Sequence, residues 1–130
     1  MLHDQFLAAY SAGDLDRVMA FYADDAVQMA PNVPAFVSKD VIRSVYEEVL
    51  RIQRTELSYV IDEVEVAEDL AFLRTTYVDT RTPTLGGEPA RTGGHSLTIL
   101  RRTPDGSWKI WREMWTHVRP RVVDELLRKN

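Results

Sequence analysis

The segment from Trp108 to His117 holds the side chains best suited to acid–base chemistry, and alternation along a strand sorts them into two sets. One set is Trp111, Glu113, Trp115 and His117, and the other is Trp108, Ile110, Arg112, Met114 and Thr116. If the first set faces inward, Glu113 lies between two indoles, and loss of water raises its pKa toward that of a general base. Alternation alone leaves the facing open, and it equally allows a structural ion pair between Glu113 and Arg74.

His95 is the second candidate for proton transfer. It begins the preceding strand, so hairpin pairing would bring its imidazole near Glu113 and create a proton relay if the register allows. The alternative is an exposed histidine at a strand end, following two glycines. The chain has three histidines, none paired at i, i+4 spacing, and no cysteine. We therefore expect no metal site and no cofactor.

A set of large side chains is suited to forming the wall of a pocket for a ring-bearing ligand. These are Phe6, Tyr22, Met29, Tyr46, Trp111 and Trp115. Ordinary core packing is the alternative for each of them. Arg74 shares a strand face with Phe72, Thr76 and Val78. If that face is concave, the buried guanidinium must pair with Glu113 or with an anionic ligand. If that face is convex, the guanidinium is solvated.

Composition excludes several classes of function. The net charge is −4 and the 16 basic residues are scattered, which argues against a nucleic-acid partner. No apolar run approaches the roughly 20 residues of a membrane helix, and no basic and apolar leader is evident. A length of 130 residues suits one domain, residues 1–130. We expect a cytoplasmic protein that does not enter a membrane.

Three N-terminal helices are predicted to support the candidate residues. The first has apolar positions at helical spacing and ends near Gly13, and Asp14 caps the second. The apolar face of the second helix is predicted to be Leu15, Val18, Met19 and Tyr22. Ser38 caps a third helix, whose broad apolar stripe runs from Val41 to Ile52.

The remaining elements are predicted strands. A short one spans residues 26–30, and longer ones begin near residues 55, 71, 95 and 108. The alternation changes phase between Ile61 and Val64, which indicates a bulge, and Pro104 starts a hairpin turn. Residues 118–130 are expected to be a charged tail, in which Val122, Val123, Leu126 and Leu127 favour a short closing helix. Helices followed by strands predict an α+β domain with a curved antiparallel sheet.

Several short motifs, in this order, resemble the nuclear-transport-factor-2-like (NTF2-like) superfamily and especially its SnoaL-like and ketosteroid-isomerase-like branches. They are Ala-Gly-Asp-Leu-Asp (12–16), Phe-Tyr-Ala-Asp-Asp-Ala (21–26), Ser-Lys-Asp-Val-Ile (38–42) and Pro-Asp-Gly-Ser-Trp-Lys-Ile (104–110). The resemblance implies a cone, with helices packed on a curved mixed or antiparallel half-barrel. It also implies that Trp111, Glu113 and Trp115 line the cavity.

The resemblance also implies that the isomerase machinery is altered. The general-base aspartate of the isomerases falls at Ala30 and their oxyanion-hole tyrosine at Phe6, neither of which can replace the lost group. Their protonated aspartate falls at or next to His95. Two further pocket tyrosines match Tyr22 and Tyr46.

Two kinds of function remain open at this point. The first is a cofactor-free acid–base enzyme, such as an isomerase, cyclase or dehydratase, that acts on a hydrophobic ring-bearing molecule with Glu113 as base and His95 or a tyrosine as partner. The alternative is a ligand-binding or dimerisation module of the same fold without catalysis. We expect a hydrophobic small-molecule ligand and a homodimer, for which the face carrying Trp108, Ile110 and Met114 is one candidate interface.

Overall fold

The computed structural model describes the backbone of residues 2–118 and the side chains of residues 5–118. Nine elements follow one another: α1 (Leu2–Ser11), α2 (Leu15–Met19), β1 (Tyr22–Met29), β2 (Phe36–Val37), α3 (Lys39–Ile52), β3 (Gln53–Ala67), β4 (Leu70–Pro83), β5 (Ala90–Arg102) and β6 (Trp108–Trp115). The expected closing helix after residue 118 lies outside the described residues. The α+β class is confirmed: α1, α2 and α3 all precede β3, and β1 and β2 lie between α2 and α3.

Local sequence determines where the helices begin. The Asp14 side chain accepts a hydrogen bond from the amide of Arg17 at 3.2 Å, and the Ser38 hydroxyl accepts one from Val41 at 3.4 Å. The backbone turns between α1 and α2 at Gly13, whose φ of 69° suits glycine. The second helix is shorter than predicted: it ends at Met19, and Tyr22 begins a strand instead of completing a helical face.

The six strands form one mixed sheet in the order β2-β1-β6-β5-β4-β3. Strands β1 and β6 pair in parallel, and the other four strand pairs are antiparallel. The predicted antiparallel arrangement therefore holds for every pair except β1 with β6. The predicted bulge in β3 is present between Ile61 and Glu63. A second irregularity, between Ile99 and Leu100, lies opposite β6. Both bend the sheet around the helices.

The core lies between the helices and the sheet. Its most completely buried large side chains are Val18, Met19, Tyr22 and Ile42. Ile110 belongs to this core and is buried, which removes it from the candidate interface face proposed from the sequence. The helices therefore cover one face of the sheet and leave a space toward its open end.

Gly94 allows the end of the sheet to close tightly. A Cβ at this position would lie 1.9 Å from the carbonyl oxygen of Thr116, so no larger residue fits without moving the backbone. The Thr116 amide donates to the His95 carbonyl at 2.8 Å, and the Tyr77 hydroxyl donates to the Thr116 carbonyl at 2.9 Å. The segment after β6 is thereby held against β5 and forms one wall of the space below the helices.

Candidate active site

A cavity of about 320 Å³ lies between the helices and the concave face of the sheet. Its wall is mostly apolar and aromatic, and includes Phe6, Tyr10, Tyr46, Leu73, Ile110 and Trp115. Two carboxylates, Glu113 and Asp79, also line it. A space of this size accommodates a small ring-bearing molecule.

Glu113 stands at the centre of a hydrogen-bonded group. Its Oε1 accepts hydrogen bonds from the Tyr22 hydroxyl at 2.7 Å and from Gln28 Nε2 at 2.9 Å. Tyr22 and Tyr46 are joined through their hydroxyls at 2.9 Å. Both bonds to Glu113 end on Oε1, and no bond from the described residues ends on Oε2. One carboxylate oxygen is therefore held in place and the other is available to a ligand.

The donors in this group can be assigned from the number of protons. Tyr22 has a single hydroxyl proton, and it is donated to the carboxylate of Glu113. The Tyr46 hydroxyl must then donate to Tyr22, since Tyr22 has only an acceptor left. The protons of both tyrosines point along one chain toward Glu113.

Burial sets the electrostatics of the group. Removal from water raises the pKa of Glu113, and this outweighs the hydrogen bonds from Gln28 and Tyr22, which act in the opposite direction. The pKa values of Tyr22 and Tyr46 are raised well above 10 by burial and by the negative charge of Glu113. Both tyrosines therefore remain neutral donors, while the raised pKa makes Glu113 a stronger base than an exposed glutamate.

A β-bulge determines which residues of β6 face the cavity. Leu100 pairs with Ile110, and Ile99 pairs with Arg112, so Trp111 is the extra residue. Ile110 and Glu113 consequently both point inward. The Trp111 indole donates to the Asp25 carboxylate at 3.3 Å on the outer side, which corrects the expectation that this ring lines the cavity.

Two arginines hold Trp111 on that outer side. The guanidinium carbons of Arg112 and Arg101 lie 4.0 Å and 5.0 Å from the centre of the indole ring. The bulge interrupts the regular alternation that was assumed from the sequence: Trp111 faces outward, and Ile110, assigned to the other set, faces the cavity. Of the set predicted to face inward, Glu113, Trp115 and His117 do line the cavity.

Three other sequence-predicted site residues lie away from the cavity. His95 is exposed, and its Nδ1 is 3.3 Å from the Thr76 hydroxyl, so the expected pair with Glu113 is not formed. Arg74 is exposed and pairs with Glu63 through Nε at 3.1 Å, which is the convex alternative left open above. Met29 pairs in register with Met114, one residue past the pair of Gln28 with Glu113, and does not line the cavity. Phe6 and Tyr46 do line it, and Tyr22 reaches it through Glu113.

A second polar group lies around Asp79, which is only 4% exposed. Its Oδ2 accepts from Arg81 Nε at 3.0 Å, and its carboxylate also interacts with the Tyr10 hydroxyl, while Oδ1 is shielded from solvent. Burial raises the pKa of Asp79, and burial together with the Asp79 charge raises that of Tyr10 to about 12. The Thr55 hydroxyl, on the neighbouring strand, is likewise buried and interacts with the Tyr10 hydroxyl.

Sequence reasoning missed Gln28, Asp79 and Arg81. Gln28 is 2% exposed and occupies an inward position of β1, two residues after the buried Ala26. Asp79 follows Leu73, Thr75 and Tyr77 on the inward face of β4. The available signal in the sequence was therefore a charged residue at the same alternating positions as these inward neighbours. The sequence analysis considered only the opposite face of β4, which carries Arg74.

No group of three or more His, Asp or Glu side chains is placed to hold a metal ion within residues 2–118. In the same part of the chain no helix combines the length and the apolar character needed to cross a bilayer.

Fold and cavity together define a small cone-shaped domain with a cavity between its helices and a curved sheet. The family model for the SnoaL-like domain matches residues 3–113. The chain belongs to the SnoaL-like domain family. A search of curated proteins found no significant match.

Solved structures agree with this assignment. A ketosteroid isomerase-like protein from Erwinia carotovora atroseptica is 32% identical, with a TM-score of 0.81 and coverage of 91% of this chain and 92% of that chain. A candidate scytalone dehydratase from Novosphingobium aromaticivorans is 16% identical, with a TM-score of 0.80 and coverage of 91% and 79%. An NTF2-like superfamily protein from Salmonella enterica is 12% identical, with a TM-score of 0.77 and coverage of 90% and 86%. The last two show the fold alone.

Proposed function

We propose that this protein is a cofactor-free proton-transfer enzyme that acts on an apolar, ring-bearing carbonyl compound, with Glu113 as the base. The observation that carries the proposal is the position of Glu113: its carboxylate lines the cavity, one oxygen is held by Tyr22 and Gln28, and the other is available. A raised pKa fits a base that must accept and return a proton. Fold relatives described as isomerase-like and as a candidate dehydratase support the reaction class.

The proposed step is removal of a proton from the carbon next to the carbonyl group. The C–H bond breaks, its proton moves to Glu113 Oε2, and its electron pair forms a carbon–carbon double bond while the carbonyl oxygen becomes an oxyanion. Return of the proton to another carbon gives isomerisation. Loss of a hydroxyl group from the neighbouring carbon, with the proton passed to it, gives dehydration.

The tyrosine chain supplies a route for stabilising the oxyanion. A protonated Glu113 no longer attracts the Tyr22 proton as strongly, so Tyr22 can turn to donate to Tyr46. Tyr46 lines the cavity, and its own proton is then free to be donated to the oxyanion. The same change that creates negative charge on the substrate therefore releases the donor that stabilises it.

Deuterium exchange tests the base directly. Para-phenylacetophenone is an elongated apolar ketone with an exchangeable methyl group, and the protein in deuterated buffer is expected to accelerate deuterium incorporation measured by mass spectrometry. Glu113→Gln keeps the shape and removes the base, so the acceleration should fall about 100-fold or more. Glu63→Gln, on the outer face beside Arg74, is the matched control and should not change it.

Two outcomes contradict the proposal. Equal exchange in the wild type and Glu113→Gln would show that another group removes the proton. Binding of the ketone without any exchange above the buffer rate would favour the non-catalytic binding module.

A further inference from the structure

Arg81 places a cation on the wall of the cavity, away from Glu113. Its side chain lines the cavity and is 37% exposed. The Nε atom donates to Asp79 Oδ2 at 3.0 Å, and the two terminal nitrogens have no hydrogen-bond partner among residues 5–118. Unlike Asp79 Oδ1, neither terminal nitrogen is shielded from solvent. The outer end of the guanidinium is therefore open to a ligand.

Two further polar side chains line the cavity beside Arg81. Thr92 pairs in register with Asp79, and its hydroxyl makes no hydrogen bond within the described part of the chain. His117 is exposed, lines the cavity, and lies near enough for its charge to act on Asp79. This part of the wall thus combines a guanidinium, an imidazole and a hydroxyl group, each with donors that no described residue uses.

The contact with Asp79 orients Arg81 without using the end of its guanidinium. Asp79 is 4% exposed, and it holds the guanidinium through the Nε atom alone. The two terminal nitrogens then present a pair of parallel N–H groups, which matches the two oxygens of a carboxylate. A neutral acceptor fills only one of these positions, and a ligand cation is repelled by Arg81 while the free oxygen of Asp79 is shielded from it. A carboxylate is the group that fits best.

Aromatic rings line the wall between this part of the cavity and Glu113. The rings of Tyr46 and Tyr10 contact each other, with their centres 6.0 Å apart. The Tyr46 hydroxyl is 2.9 Å from that of Tyr22, which donates to Glu113. At the other side, the Tyr10 hydroxyl interacts with Asp79. An apolar, ring-bearing body can lie along these two rings with an anionic group at the guanidinium.

We propose that Arg81, with Thr92 and His117 beside it, binds a carboxylate group of the substrate. The substrate class is then an apolar, ring-bearing carbonyl compound that also carries a carboxylate away from its reacting carbon. As a statement about the substrate this rests on the proposed function, whereas the carboxylate site depends only on Arg81 and its neighbours. Because Asp79 and the ligand share one guanidinium, the two carboxylates compete for its charge.

Three related probes test the carboxylate site: para-phenylbenzoate, its methyl ester and para-phenylbenzyl alcohol. They need only occupy the Arg81 end of the cavity and do not have to reach Glu113. The ester and the alcohol are more apolar than the acid, and the net charge of −4 repels an anion, so unspecific binding favours the two neutral probes.

Calorimetric titration of the wild type at neutral pH and low ionic strength should reverse this order. The acid should bind about 10-fold or more tighter than either neutral probe, as expected for hydrogen bonds between charged groups. The double variant Asp79→Asn/Arg81→Gln removes both charges together, so that no buried charge is left unpaired, and should abolish the preference for the acid.

Asp79→Asn alone should increase the preference, because Asn still accepts from Arg81 Nε and the competing negative charge is gone. Arg74→Gln, on the outer face of the same strand beside Glu63, is the matched control and should retain the wild-type preference. Thermal unfolding confirms that each variant is folded, and the single Asp79 variant tests the site even if the double variant is not.

Three results overturn the inference: an acid that binds no tighter than its ester to the wild type, a preference that survives in the folded double variant, or a preference that Asp79→Asn lowers. Glu113→Gln should lose deuterium exchange of the ketone and keep the preference for the acid. A wild type with the preference but without exchange refutes the proposed catalysis and supports the carboxylate site. Exchange without the preference leaves the catalysis standing and removes the carboxylate site.

Discussion

Replacing Tyr22 with phenylalanine isolates the hydrogen bond that holds Glu113. Tyr22 is 1% exposed, so Phe fills the same space and removes only the hydroxyl. That hydroxyl donates to the Glu113 carboxylate at 2.7 Å. A hydrogen bond to a charged group contributes about 1.5–3 kcal/mol, and 1.36 kcal/mol corresponds to one pH unit.

The sign follows from the charge that the bond stabilises. Tyr22 favours the ionised form of Glu113, so its loss raises the pKa of Glu113 further, and the midpoint of its titration should move up by about one to two pH units. Gln28 still donates to Oε1 at 2.9 Å and should hold the change near the lower end of this range. The variant should also lose stability, and more so at pH values where Glu113 is ionised.

The assay is a carbon-detected NMR titration of the Glu113 carboxyl group in the wild type and in Tyr22→Phe. Tyr10→Phe is a suitable control, because it removes another buried tyrosine hydroxyl that has no hydrogen bond to Glu113. A midpoint that stays the same or moves down in Tyr22→Phe refutes the assignment of Tyr22 as donor to the carboxylate.

Two further predictions concern stability. The raised pKa of Glu113 makes the folded wild type lose stability as the pH rises from about 4.5 through the folded-state pKa, by about 1.4 kcal/mol for each pH unit by which the pKa is raised. Glu113→Gln removes this pH dependence. The melting temperature of the variant should therefore increase relative to that of the wild type as the pH rises. A difference that is flat with pH would contradict this. Gly94→Ala places a Cβ against the Thr116 carbonyl and should lower the free energy of unfolding in urea by about 2–3 kcal/mol. A loss below about 0.5 kcal/mol would show that the end of the sheet gives way easily.

Sequence patterns predicted the fold because its determinants are local. Caps at Asp14 and Ser38, the phase change after Ile61 and the turn at Pro104 all depend on residues within a few positions of one another. The parallel pairing of β1 with β6 could not be predicted in this way, since it joins segments more than 80 residues apart. Such pairings are set by the packing of the whole domain.

The candidate site was predicted only in part for the same reason. Glu113 and Trp115 were placed correctly on the cavity wall, whereas Trp111 was not, because a bulge in β6 is decided by its partner strands and not by its own residues. Gln28 and Asp79 were overlooked because the argument followed aromatic residues and one face of β4. For Asp79, the available signal was a charged residue at the same alternating positions of β4 as its inward-facing neighbours.

The bulge at Trp111 also separates substitutions that change the outer surface of β6 from substitutions that change the cavity. Two adjacent positions, Trp111 and Arg112, face outward, while Ile110 and Glu113 on either side face the interior. Substitutions at the outer pair can alter surface charge and contacts without moving the acid. The strand that positions the proposed base can therefore acquire a new outer surface while its chemistry is inherited unchanged.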